Sequence, residues 1–220
     1  MTTRSVPLDT LAAMPRTSTK EPSLPPAPEL AALPVQERLL AASLRLFAEQ
    51  GFEGTSVQEI VAAAGVTKGA MYHYFASKDD LLYEIYHRLL GVQSERLNTI
   101  ADGSGTAEER VRTAAADVVE STLTSIDEAI VSIRSIHMLR PDKRTQVRAE
   151  RRRYHERFRA LVEEGQRDGS FRADVPADVA VHFFFGSVNQ LGSWYHRDGG
   201  LSLEKIADHY ADLFLAGLRA

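Results

Sequence analysis

"EIVAAAGVTKGAMYHYFASKDDLL", residues 59–82, decides how this chain is to be read. A run of small and apolar residues meets Gly65, and a Thr-Lys-Gly-Ala opening then leads into Tyr72, His73, Tyr74 and Phe75. Val57, Ile60, Val61 and Ala64 repeat at helical spacing after Thr55 and Ser56, two residues suited to cap a helix. Gly65 permits the backbone turn that follows, and Ala62, Ala63 and Ala64 are small enough to let the next helix come close. That second helix begins near Thr67. Its Met71 and Phe75, four apart with Val66 before them, are expected to pack back on Ile60 and Leu46. Lys68, Gly69, Tyr72 and His73 are then left facing away from the core. The pattern predicts a helix-turn-helix whose bare face suits a major groove.

Working outward, Leu39, Leu40, Ser43, Leu46 and Phe47 trace one face of a first helix ended by Gly51. Ser77 caps a fourth helix, with Asp79 and Asp80 in its first turn, where the helix dipole favours negative charge. Further helices are expected over roughly 106–125, 127–139, 142–168, 175–195 and 202–219, broken by Gly103 and Gly105, Pro141, Gly169 and the Asp198-Gly199-Gly200 turn. No alternating strand pattern of useful length and no internal repeat interrupts them. The fold class is all-α: a three-helix helix-turn-helix unit followed by a helical bundle. Residues 1–34 hold seven of the nine prolines, so this segment is expected to be a disordered Pro-rich arm. Residues 35–94 form the helix-turn-helix unit and 95–220 the bundle.

The chain has 220 residues, 44% hydrophobic and 25% charged, the balance of a globular protein. Having no cysteine, it holds no disulfide or thiolate metal site. No apolar run follows Arg4, and Val179 to Tyr195 is too short and polar to span a bilayer, so a cytoplasmic protein without membrane contact is expected. The net charge of −4 argues against a general nucleic-acid coat but leaves a local contact surface open. The histidines are scattered, and no metalloprotease, nucleophile-elbow or phosphate-loop motif is present. Neither an enzyme nor a metal or cofactor site is expected.

On the helix-turn-helix, the hydroxyls of Thr55, Ser56, Thr67 and Tyr72 suit phosphate oxygens and fix register. Lys68 suits guanine O6 or N7, and Gln58 suits adenine or another base edge. Gly69 and Ala70 let the backbone approach, and Lys78 is placed to neutralise a phosphate. Residues 38–82 closely resemble the DNA-binding domain of TetR-family transcriptional regulators. The resemblance is carried by Leu46-Phe47, Gly51-Phe52, Thr55-Ser56, Ile60, Ala64-Gly65-Val66, Gly69, Tyr72, Tyr74-Phe75, Lys78 and Leu81-Leu82. It implies a homodimer, usually a repressor, on a palindromic double-stranded operator. It also implies Gln58, Lys68 and Tyr72 as base readers, with Ser56, Thr67, His73, Tyr74 and Lys78 on phosphates. His73 as a solvated ring and Tyr74 as a packing residue are the alternatives. Residues 35–90 carry five Lys/Arg against seven Asp/Glu, so electrostatic help at this surface is thin.

In the bundle, "VHFFFGSVNQLGSWY" is apolar almost all round, and Ile206, Tyr210, Leu213 and Phe214 make a packing stripe. The family resemblance implies that these two C-terminal helices form the homodimer interface, internal core being the alternative. Asn189, Gln190 and Trp194, with Phe184 nearby, either line a ligand cavity or are satisfied core groups. "DKRTQVRAERRRYHERFR" carries eight Arg/Lys against three acids. Arg144, Arg148, Arg151 and Arg152 share a helix face, with Arg134 and His137 on the preceding helix. They form either a solvated face, with pairs such as Arg152 and Glu156, or a phosphate-binding rim. The C-terminal stretch also resembles the bodies of TetR-type regulators of fatty-acid and sterol-ring degradation, through Gly169-Phe171-Arg172, Trp194-Tyr195, Asp198-Gly199, Leu201-Ser202, Glu204-Ile206-Ala207 and Gly217-Leu218. That likeness implies an acyl-CoA thioester as effector; a DNA-bound architectural module without an inducer is the alternative.

Overall fold

The computed structural model describes residues 32–196 and 198–219, so most of the Pro-rich arm lies outside the described residues. The helices are α1 (Val35–Gly54), α2 (Val57–Ala63), α3 (Lys68–Tyr74), α4 (Lys78–Ala101), α5 (Ala107–Thr124), α6 (Ile126–Ser135), α7 (Pro141–Asp168), α8 (Ala177–Asn189), α9 (Leu191–Trp194) and α10 (Leu203–Leu218). Among the described residues the only β feature is an isolated bridge between Phe171 and Arg219. The expected helix over 127–139 is α6 followed by a 3₁₀ turn at Ile136–Met138, and the one over 175–195 is divided at Gln190 into α8 and α9. Gly51, at φ 81°, breaks α1 where the sequence places its end, and one further turn follows.

Local chemistry sets the head. Ser56, Thr67 and Ser77 each accept a backbone N–H through their side chains at the starts of α2, α3 and α4, satisfying donors that a helix start leaves unpaired. Gly65 takes φ 62° in the turn between α2 and α3, a conformation that an L side chain rarely adopts. Met71 and Ile60 are fully buried and Phe75 nearly so, packed with Leu39, Leu81 and Leu82 in one cluster.

That cluster does not end where the sequence suggests a boundary. It takes in Val131 of α6, Leu139 just before α7, and Val147 of α7. A second cluster fills the body, built from α5, α7, α8 and α10 around Phe158, Phe184 and Phe214. α4 belongs to both: Leu81 to Leu90 pack in the head, Leu97 and Ala101 in the body. Where α4 begins, Asp79 and Asp80 face Arg140 and Lys143, with the Arg140 backbone N–H donating to Asp79 Oδ1 at 3.0 Å and the Lys143 ammonium to Asp80. Head and body are thus joined by helix, core and charge.

Candidate functional site

On the outer face of the head, Gln58, Thr67, Lys68, Gly69, Tyr72, His73 and Tyr74 are all exposed, Tyr72 by 48% and Tyr74 by 47%. Ala70 is half-buried beneath them. The Lys68 ammonium lies 5.9 Å from the Tyr72 ring centroid, and His73 meets Tyr74 edge-on at 5.0 Å. Thr67 uses its oxygen to accept the Ala70 N–H at 3.1 Å, which leaves its hydroxyl proton free to donate. Rings and donors with few internal partners, standing on a buried Met71–Phe75 base, make a surface that can read base edges and hold phosphates.

Three of the expected contacts are occupied otherwise. Thr55 is 1% exposed: its hydroxyl donates to the Gly51 carbonyl at 2.8 Å and accepts from Gln50 at 3.3 Å, so it closes the end of α1 instead of facing a phosphate. Ser56 is exposed, yet its backbone N–H and hydroxyl both donate to Glu59 Oε2 at 2.7 Å in a capping box. These bonds also hold the Glu59 carboxyl below its ordinary range, setting a negative charge beside the site. Lys78 is half-buried, and its ammonium donates to the Phe52 and Thr55 carbonyls, both at 2.6 Å, while sitting 4.3 Å from the Phe52 ring. It caps α1. Burial lowers its pKa, which Glu53 and Glu59 partly offset.

In the body, α4, α5, α6, α7 and α8 line a small, partly open cavity of about 80 Å³. Apolar Leu90, Val118, Ile133 and Phe185 line it with polar Tyr86, Gln93, Asn189 and Arg151. Outside it, between α7 and α8, runs a cleft of about 650 Å³ bearing Arg148, Arg151, Arg152 and Arg159. Arg151 and His155 line both spaces and so connect them. Arg148 and Arg151 form no ion pair among the described residues, whereas Arg152 makes the expected pair with Glu156 at 2.8 Å. His155 stacks on Phe185 at 4.0 Å; burial first, and then Arg151, push its pKa down to about 4, so the ring is neutral near pH 7.

Arg148, Arg151, Arg152 and Asn189 thus fall at the candidate ligand space, and the other expected residues do not. Phe184 is 2% exposed, stacks with Phe158 at 5.4 Å and meets a tilted Phe214 at 4.7 Å, in the core; its neighbour Phe185 faces the cavity. Gln190 and Trp194 are exposed at the far end of α8 and α9. Arg134 and His137 are exposed away from the cleft, and Arg144 donates to the His137 carbonyl at 3.3 Å. Tyr86, Gln93, Tyr154, His155 and Phe185 were not expected. In the sequence Tyr86 sits in a Leu82-Tyr86-Leu90 stripe that reads as plain core.

A capped helix-turn-helix with an exposed second helix, carried on a helical body with a cavity between its helices, defines a DNA-binding regulator. Residues 39–85 match the family model "Bacterial regulatory proteins, tetR family", and residues 104–218 match "Tetracyclin repressor-like, C-terminal domain". The chain belongs to the TetR family of transcriptional regulators. It is similar to the HTH-type transcriptional repressor KstR2 of Rhodococcus jostii, with 28% identity over 82% of this chain and 89% of that protein. Among solved structures it is similar to the TetR family regulator PfmR of Thermus thermophilus, with 30% identity, a TM-score of 0.76, and coverage of 83% of this chain and all of that one. It is also similar to AibR in complex with isovaleryl coenzyme A and operator DNA, with 26% identity, a TM-score of 0.74, and coverage of 82% and 97%.

Proposed function

We propose that this chain is a homodimeric repressor released from a palindromic operator by an acyl-CoA thioester. The observation that carries the DNA part is the bare face of α3, with Lys68 and Tyr72 exposed above fully buried Met71. Lys68, Tyr72 and Gln58 read bases, and Thr67, His73 and Tyr74 hold the backbone. The effector part is supported by an apolar cavity joined through Arg151 and His155 to a cleft with four arginines. Guanidinium forks suit phosphate oxygens, and an acyl group suits the apolar space. The AibR complex holds the same class of molecule. Dimerisation is supported by the outer faces of α8 and α10, where Phe183 and Leu213 are each 74% exposed.

The test is operator binding by the purified protein, on DNA from upstream of its own gene, with and without a panel of acyl-CoA thioesters. Release by one thioester, but not by its free acid or by coenzyme A, is the expected outcome; indifference to all thioesters sinks the effector part. Lys68→Ala is expected to lose about 1–3 kcal/mol of discrimination at one base pair per half-site. An equal loss on every sequence would move Lys68 to the phosphates.

A further inference from the structure

The cavity of about 80 Å³ has room for two or three water molecules at ~30 Å³ each. Ligand sites for larger molecules span roughly 300 Å³ or more. A guest of that size must either part the walls of this space or extend into the adjoining cleft. The walls differ in what stands behind them. Along the cavity α7 and α8 are backed by the body's own core; α6 packs Ile126 on that core too, but offers Ala129, Ser132 and Ile133 to the cavity while Val131 is buried in the core of the head. α6 therefore touches the guest space on one side and the head's core on the other.

One hydrogen bond joins α4 to α6 at the cavity wall. Tyr86 of α4 is 1% exposed and donates its hydroxyl to the Ser132 carbonyl. Ser132 lies in the last turn of α6, just before the 3₁₀ turn, so this bond ties α4 to the C-terminal end of α6. No other hydrogen bond is made by this hydroxyl among the described residues. Burial raises its pKa, keeping it a protonated donor at any working pH.

We propose that the Tyr86–Ser132 bond is the latch that converts cavity occupancy into release of the head: a guest that parts α4 from α6 breaks it, and α6 loosens its hold on the head's core. The trigger rests on the effector reading above; the latch itself needs no effector to be tested. If the bond favours the operator-binding state, losing it shifts the balance toward the guest-binding state, so the ratio of guest affinity to operator affinity rises by the full worth of the bond.

Two variants test this without knowledge of the effector. Tyr86→Phe keeps the ring and removes the bond. Ala129→Leu grows a side chain from α6 into the cavity and acts as a tethered guest. Operator affinity is read by fluorescence anisotropy, and hydrogen exchange is followed over residues 126–139 and 39–47, with 158–165 of the body core as reference. Tyr86→Phe is expected to weaken operator binding roughly 2- to 10-fold, the value of one hydrogen bond, and Ala129→Leu by more. Both should speed exchange in the two named segments and leave the reference unchanged. Two folded variants that bind and exchange like the wild type overturn the latch; if Ala129→Leu does not fold, Tyr86→Phe alone decides. Should no thioester release the wild-type protein, the effector reading fails while these measurements still judge the latch, the exchange arm even in the absence of DNA.

Discussion

Where a lysine's protons go decides what it does, and at Lys78 two of three are held by the carbonyls of Phe52 and Thr55. Those carbonyls belong to the end of α1, just before the Ser56 cap of α2, so the ammonium fixes where the helix-turn-helix begins. A charge-assisted bond of this kind contributes roughly 1.5–3 kcal/mol. Lys78→Met keeps the stem over the Phe52 ring and removes the donors. The expected result is a lower thermal midpoint and weaker operator binding, with the dependence of log affinity on log salt unchanged. Were Lys78 a phosphate contact, that slope would shrink by about 1 per lysine removed, with stability intact. Titrating operator binding against salt separates the two. The sequence places Lys78 correctly at the start of a helix, but its partners lie 26 and 23 residues away and leave no local trace. Thr55 escaped for a different reason: its partners Gly51 and Gln50 are local, but a hydroxyl beside a cap reads as surface, and only the fold buries it.

The elements themselves were legible wherever their signals are local. Ser56, Ser77 and Gly65 mark helix ends through bonds and dihedrals within a few residues, and the head's helices fall where those marks stand. The body was less legible. In "HFFFG" three consecutive rings give no period, so nothing separates Phe184 in the core from Phe185 on the cavity or Phe183 in solvent. The joining of head and body was hidden because Val131, Leu139 and Val147 meet the head from far along the chain. α4 shows what that joining requires. It packs in both cores, and between them stands Gly91, where an added Cβ would meet no atom within 4 Å. Packing thus places no demand for glycine there, although glycine costs a helix interior roughly 0.5–1 kcal/mol relative to alanine. Gly91→Ala should therefore stabilise the fold by about that much. If α4 bends at this point during release, the same variant should need more effector to leave the operator. Added stability with an unaltered release curve would show α4 moving as one rigid rod.

At the scale of the whole molecule, the thin charge of the DNA face is the deciding feature. With Lys78 turned inward and Glu59 set beside Ser56, each head offers few cations to phosphate, so one head alone should bind weakly. In the proposed homodimer, affinity would come from joining two heads so that both α3 helices reach successive major grooves, about 34 Å apart. The surface that would join them is a matched pair of outward faces. Phe183 and Leu213 lie on α8 and α10, whose inner faces meet through Phe184 and Phe214, and each is 74% exposed in the single chain. In a two-fold dimer both positions would be covered by the same surface of a second copy. Because neither contributes to the monomer's core, Phe183→Lys with Leu213→Lys should leave helicity intact and give a monomer in sedimentation. Operator affinity should fall by about 10²–10⁴-fold, the advantage of tethering two sites, while binding to an isolated half-site stays as it was. A variant that remains dimeric would move the interface to another face, and a monomer that keeps full operator affinity would mean that one head suffices.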